Sequence, residues 1–185
     1  MPMQISLPCA PPAPGNWQPE MTSYTERKLV PYAPKQLFDL VADVAKYPSF
    51  LPWCVGARIR SRTNDELVAD LTIGFGPFRE SFTSRVSLQH PDATGFCAIK
   101  VKYENGPFKF LHNQWKFTPD SHGCVVDFHV DFEFRSFVLQ KAIGAVFTEA
   151  VRMMVNAFLK RARTVYGPPA VASSVQATEE SKAGA

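Results

Sequence analysis

From Phe137 to Tyr166 the chain runs for 30 residues without a proline, and Ile143, Phe147, Ala150, Val151, Met154, Phe158 and Ala162 repeat at helical spacing opposite Lys141, Glu149, Arg152, Asn156, Lys160 and Arg163. Unbroken, such a helix is about 45 Å long. So long an apolar stripe needs a broad apolar partner, and the chain offers one. Between Val55 and Phe134 the hydrophobic period is two: Leu67, Ala69, Leu71, Ile73 and Phe75 share a face, and Cys124, Val126, Phe128, Val130, Phe132 and Phe134 alternate with Asp127, His129, Asp131 and Glu133. Turn residues at Gly74-Phe75-Gly76-Pro77, Pro91 to Gly95, Asn105-Gly106-Pro107 and Pro119 to Gly123 divide this stretch into antiparallel strands. The helix must lie on their apolar face.

Upstream, Thr25 to Tyr32 reads as a first strand stopped by Pro31, and Pro34 opens a helix with Leu37, Leu40, Val41 and Val44 on one side, closed by Tyr47-Pro48. An aromatic-rich turn or short helix follows over Ser49 to Cys54. The expected class is α+β: a curved antiparallel sheet of about six or seven strands wrapped around a long C-terminal helix. The folded domain is expected over 23–167. Residues 1–22 hold six of the 16 prolines and no Lys or Arg, which predicts a disordered leader, and the small, polar stretch 168–185 predicts a disordered tail.

A hydrophobic fraction of 45% against 20% charged predicts one folded domain, and a net charge of only +3 with interspersed signs argues against a broad polyphosphate-binding surface. No apolar run is long enough to predict a membrane span. The cysteines at 9, 54, 97 and 124 form no Cys-x-x-Cys pair, so reduced thiols in a cytosolic domain are expected rather than zinc. Catalysis would require ionisable groups on the apolar faces, and few are visible. His129 alternates outward, and His90 and His122 lie in turns. If Leu111, Trp115 and Phe117 face inward, period two points His112 and Gln114 outward and Asn113 inward. Asn113 then needs a hydrogen-bond partner: a ligand oxygen, the backbone or a water. Glu80 shares parity with Phe78 and Phe82, but solvent or a neighbouring Arg is its expected partner.

The segments Val30-Pro31-Tyr32, Leu37-Phe38, Val41-Ala42-Asp43-Val44, Tyr47-Pro48 and Phe50-Leu51-Pro52-Trp53-Cys54 closely resemble the start of the coenzyme Q-binding START-domain proteins. Gly76-Pro77-Phe78-Arg79-Glu80-Ser81-Phe82 and Leu111-His112-Asn113-Gln114-Trp115-Lys116-Phe117 extend the resemblance over about residues 25–166. It implies a helix-grip (START-like) fold, shared with polyketide cyclase/dehydrase-like proteins and with ribosome-association toxins. It also implies a non-catalytic protein that holds ubiquinone or a similar polyprenyl lipid in an apolar cavity. Such a protein would support respiratory electron transfer as a quinone chaperone, with no required cofactor, in the cytoplasm or peripherally at the inner face of the respiratory membrane.

The expected lining is Phe75, Phe82, Leu111, Trp115, Phe128 and Val130 from the strands and Ile143, Phe147, Val151, Met154 and Phe158 from the helix, with Asn113 as polar anchor. Phe50, Leu51 and Trp53 would form a flap at the cavity mouth or a membrane-touching edge, unless Trp53 simply plugs the core. Arg152, Lys160, Arg161 and Arg163 complement the helix dipole and would also suit anionic lipid or ribosomal RNA. The toxin-named relatives supply the rival expectation, binding to the large ribosomal subunit that blocks subunit association. An aromatase or cyclase is the less favoured third.

Overall fold

In this computed structural model the described residues are 22–169 except 145, with only the backbone described at Phe75. The elements are β1 (Thr22–Val30), α1 (Pro34–Ala42), a 3₁₀ turn (Val44–Ser49), β2 (Cys54–Arg62), β3 (Glu66–Phe75), β4 (Phe78–Gln89), β5 (Cys97–Asn105), β6 (Phe108–Asp120), β7 (Gly123–Phe134), α2 (Phe137–Gly144) and α3 (Phe147–Tyr166). All seven strands join one antiparallel sheet in the order β1-β7-β6-β5-β4-β3-β2, the curved sheet and C-terminal helix of the helix-grip architecture. Consecutive strands from β2 to β7 pair through short turns, and β1 closes against β7. The expected leader and tail fall almost wholly outside the described residues, although Thr22 already belongs to β1.

Local chemistry explains the boundaries. Val30 makes the last pair of β1, with Cys124, because Pro31 has no N–H to continue the ladder. Pro34 opens α1, and the Gln36 side chain accepts from the Ala33 N–H at 2.9 Å. Between β5 and β6, Gly106 sits at φ +137°, and a Cβ there would come within 2.7 Å of the Phe82 side chain. Only glycine allows that hairpin to close against β4. Cys54, Cys97 and Cys124 are buried free thiols, and burial pushes Cys97 up to about 11 and Cys124 to about 12, so both stay protonated at neutral pH. Cys9 lies outside the described residues.

The long C-terminal helix of this architecture is α3, 20 residues, and the full 30-residue stripe is not one unbroken helix. The apolar face of the stripe is real, but α2 and α3 meet at 61°. Gly144 ends α2, where a residue without Cβ favours a break, and Val146 restarts the chain at φ −113°, ψ 0°. The bend lets α2 cap the end of the sheet while α3 crosses its concave face. Gln140 fastens that cap: its Oε1 accepts from the Phe134 N–H at 2.8 Å and its Nε2 donates to Thr22 Oγ1 at 2.8 Å. At the far end, the Tyr166 hydroxyl donates to the Gln36 carbonyl and the Tyr32 hydroxyl to the Gly167 carbonyl, tying α3 to α1 and β1.

Candidate functional site

The concave face of the sheet and the buried stripe of α2 and α3 do not meet everywhere. An apolar cavity of about 190 Å³ remains between them. β4 contributes Phe82, Ser84 and Val86, β6 contributes Phe108, Leu111, Asn113 and Trp115, and β7 contributes Phe128, Val130, Phe132 and Phe134. Ile143, Phe147, Val151, Met154 and Phe158 close it from the helices, on both sides of the break. Eleven of the expected lining residues therefore surround one space; the side chain of the twelfth, Phe75, lies outside the described residues.

Residues outside the expected lining also border it, Leu71 and Ile73 among them on the face that period two had shared with Phe75. Val41, Val44 and Tyr47 come from α1 and the 3₁₀ turn, and Leu71, Ile73, Ile99 and Val101 from the strands. Ser84 and Val86 share parity with Phe82 and were there to be found. Phe108 was not, because counting back from Leu111 points it outward. A register shift between Phe108 and Phe110 reverses the face and sets Phe108 against Phe82, Tyr103, Phe132 and Phe134.

The 50–53 turn is a wall of the core rather than an exposed edge. Leu51 is 2% exposed, Leu51 and Trp53 line the cavity, and Phe50 packs edge-on against Tyr47 and Phe158. The two most exposed large apolar side chains are instead Phe137 and Val138 at the start of α2, each 67% exposed; Val146 at the break is exposed to the same degree as Leu29, Val55 and Val165. Met154 lines the cavity, whereas Met153 points to solvent. The four basic residues do not form one patch. Arg152, Lys160 and Arg163 are exposed on one side of α3, while Arg161 lies half a turn from Arg152, half-buried over the Phe50 ring at 5.7 Å.

The polar content of the lining is small. The Tyr47 hydroxyl donates to the Val41 carbonyl at 2.6 Å, and burial raises its pKa far above the ordinary phenol value. Asn113 faces inward as parity required, and its Oδ1 is buried without a hydrogen-bond partner, as is Ser84 Oγ. Among the described residues no Asp, Glu, Lys, Arg or His lines the cavity. Glu80 is half-buried, is not part of the lining, and has no Arg partner among the described residues. His112 and His129 point outward and share Asp131.

Such a site can hold an apolar molecule with one or two polar atoms. It is larger than the roughly 150 Å³ apolar cavity that takes benzene and smaller than the roughly 300 Å³ at which drug-sized sites begin. A single substituted ring fits; a long tail has to leave through the mouth.

Comparison with known proteins gives the same architecture. A protein of Rickettsia prowazekii named ribosome association toxin RatA is 42% identical over 145 residues, 78% of this chain and 99% of its own length. The mitochondrial coenzyme Q-binding protein COQ10 of Drosophila melanogaster is 33% identical over 163 residues, 85% of this chain and 65% of that protein. The crystal structure of Zhui aromatase/cyclase from Streptomyces sp. R1128 superposes with a TM-score of 0.64 at 20% identity, covering 79% of this chain and 96% of that one. Residues 30–159 match the family described as polyketide cyclase/dehydrase and lipid transport, and together with the helix-grip sheet and its cavity this match shows that the chain belongs to that START-like family.

Proposed function

We propose that this protein holds ubiquinone or a similar polyprenyl lipid by its ring and first isoprene units, and hands it over at the inner face of the respiratory membrane without covalent chemistry. The observation that carries the reading is a cavity of about 190 Å³ whose lining is apolar apart from Ser84, Asn113, Tyr47 and the Trp53 indole. The similarity to the coenzyme Q-binding protein supports the choice of a quinone. The remainder of the tail would leave along α2, where Phe137 and Val138 at its start and Val146 beyond its end offer apolar surface to a bilayer. No cofactor is needed for such a role. Aromatase or cyclase activity would need acid–base groups in the cavity, and Tyr47, already bonded to Val41, is the one ionisable lining side chain among the described residues.

The test is organic extraction of the detergent-free full chain with mass spectrometry against a mock purification. A near-stoichiometric polyprenyl quinone is expected. An extract that is empty, and stays empty after incubation with quinone-loaded vesicles, overturns the reading.

A second reading, association with the large ribosomal subunit, is favoured by the greater identity of the toxin-named relative and by the exposed Arg152, Lys160 and Arg163. Reversing these three to Glu should abolish co-sedimentation with large subunits if that face makes the contact. Co-sedimentation retained by the triple variant removes that face.

A further inference from the structure

Two side chains that line the cavity keep polar atoms buried without a hydrogen-bond partner: Ser84 Oγ on β4 and Asn113 Oδ1 on β6. The Asn113 amide nitrogen makes no hydrogen bond among the described residues either. Ser84 is only 1% exposed, between Phe82 and Val86 on the inner face of its strand and opposite Ala69 on β3. Alanine would fit the same space without an unbonded hydroxyl, and buried polar atoms are nearly always bonded. The whole of β5 separates the two positions: Ser84 pairs with Tyr103, Asn113 pairs with Val101, and Val101 lines the cavity on the strand between them. Two strand spacings across and two residues along put their Cα atoms about 12 Å apart. Inner side chains stand roughly perpendicular to the sheet, so one ligand oxygen, bonding at about 3 Å, does not reach both.

Resting on the reading of the cavity as a lipid site, we infer that Ser84 and Asn113 are the two ends of a polar clamp for one ring that carries oxygens on opposite sides, with the ring lying over Val101. The ligand class is therefore a para-dioxygenated ring on an isoprenoid tail, rather than a lipid with a single polar head such as a polyprenyl alcohol. A serine hydroxyl donates and accepts, and a carboxamide does both through different atoms. The clamp consequently takes a quinone and its reduced form alike: it recognises the spacing of two oxygens, not their protonation. An alcohol supplies one polar atom and leaves the other end of the clamp buried and unbonded.

The experiment is titration calorimetry of the full chain with a two-isoprene ubiquinone and with geraniol, the same tail ending in one hydroxyl. Ser84→Ala and Asn113→Leu should each weaken the ubiquinone about fivefold, the worth of one buried hydrogen bond. Geraniol should bind the wild-type chain more weakly than the ubiquinone, and at most one of the two substitutions should weaken it further. The free variants should melt at or above the wild-type Tm, since each removes an unbonded buried polar atom. Ubiquinone affinity unchanged by either substitution would overturn the clamp, and so would two substitutions that each weaken geraniol as much as ubiquinone. A Tm below wild type together with equal losses for both ligands would make the two groups structural and overturn it as well. Wild-type protein that binds neither ligand fails the cavity reading itself, whereas ubiquinone binding indifferent to both substitutions fails the clamp alone.

Discussion

The two faces of the sheet are made from alternate residues of the same strands, and they treat polar groups in opposite ways. Outside, Arg85 of β4 bonds Glu66 on β3 and Glu104 on β5, Arg60 donates to Asp70 at 2.7 Å, and Thr83 donates to the same carboxylate at 2.7 Å. His112 and His129 both approach Asp131. Inside, Ser84 stands between Thr83 and Arg85 in the chain and bonds nothing, and Tyr103 and Asn113 do the same on the next two strands. The backbone and its register are shared, so neither explains the difference. The outer face is complete as it stands, in contact with water. The inner face is an apolar surface that leaves a cavity and keeps several buried polar atoms unbonded.

The largest effect expected from breaking the comparison is on the inner side. Phe108→Ala removes the ring around which Phe82, Tyr103, Phe132 and Phe134 pack and should cost about 3–5 kcal/mol in urea unfolding, with a lower midpoint and an unchanged slope. A loss below about 1 kcal/mol would mean that the surrounding rings collapse into the space. Next, Val151→Trp should fill the cavity from α3 and abolish lipid loading, at a stability cost of about 1–3 kcal/mol from overpacking. Unchanged loading by mass spectrometry, in protein that circular dichroism shows to be folded, would remove Val151 from the site.

The smallest effect is on the outer side and is read through pH. Hydrogen bonds from Arg60 first and Thr83 second hold the Asp70 carboxyl below its ordinary value of 3.8. Its contribution is therefore fully present above that unfolded value and is lost as pH falls through the depressed folded one. Asp70→Asn should be slightly less stable at pH 7 and flatter in its stability–pH curve below about pH 4. Val151→Trp should keep the wild-type acid slope. An unchanged slope in Asp70→Asn would show that the outer network contributes nothing to acid stability.

Much of this was legible in the residues. Alternation along 124–134 assigned every inner and outer position of β7 correctly, and parity from Trp115 placed Asn113 inside and His112 outside, as the structure has them. The stripe of α3 pointed at the cavity as counted. What was not legible is tied to single events in the backbone. The register shift between Phe108 and Phe110 reversed a face, and the break after Gly144 bent a 30-residue stripe into two helices. Arg161 shared charge with Arg152, Lys160 and Arg163 but not their side of the helix, because a half-turn of α3 places it over Phe50.

The sequence by itself determined the order of the main elements and, apart from the start of β6, the face each one buries, because periodicity and turn chemistry act over a few residues and are written locally; its motifs carried the resemblance to the family. Only the tertiary structure decided the volume left between sheet and helix and which inner polar atoms stay unbonded. A void depends on the separation of elements far apart in the chain. A hydrogen bond depends on a few tenths of an ångström across three strands, and no local pattern encodes either.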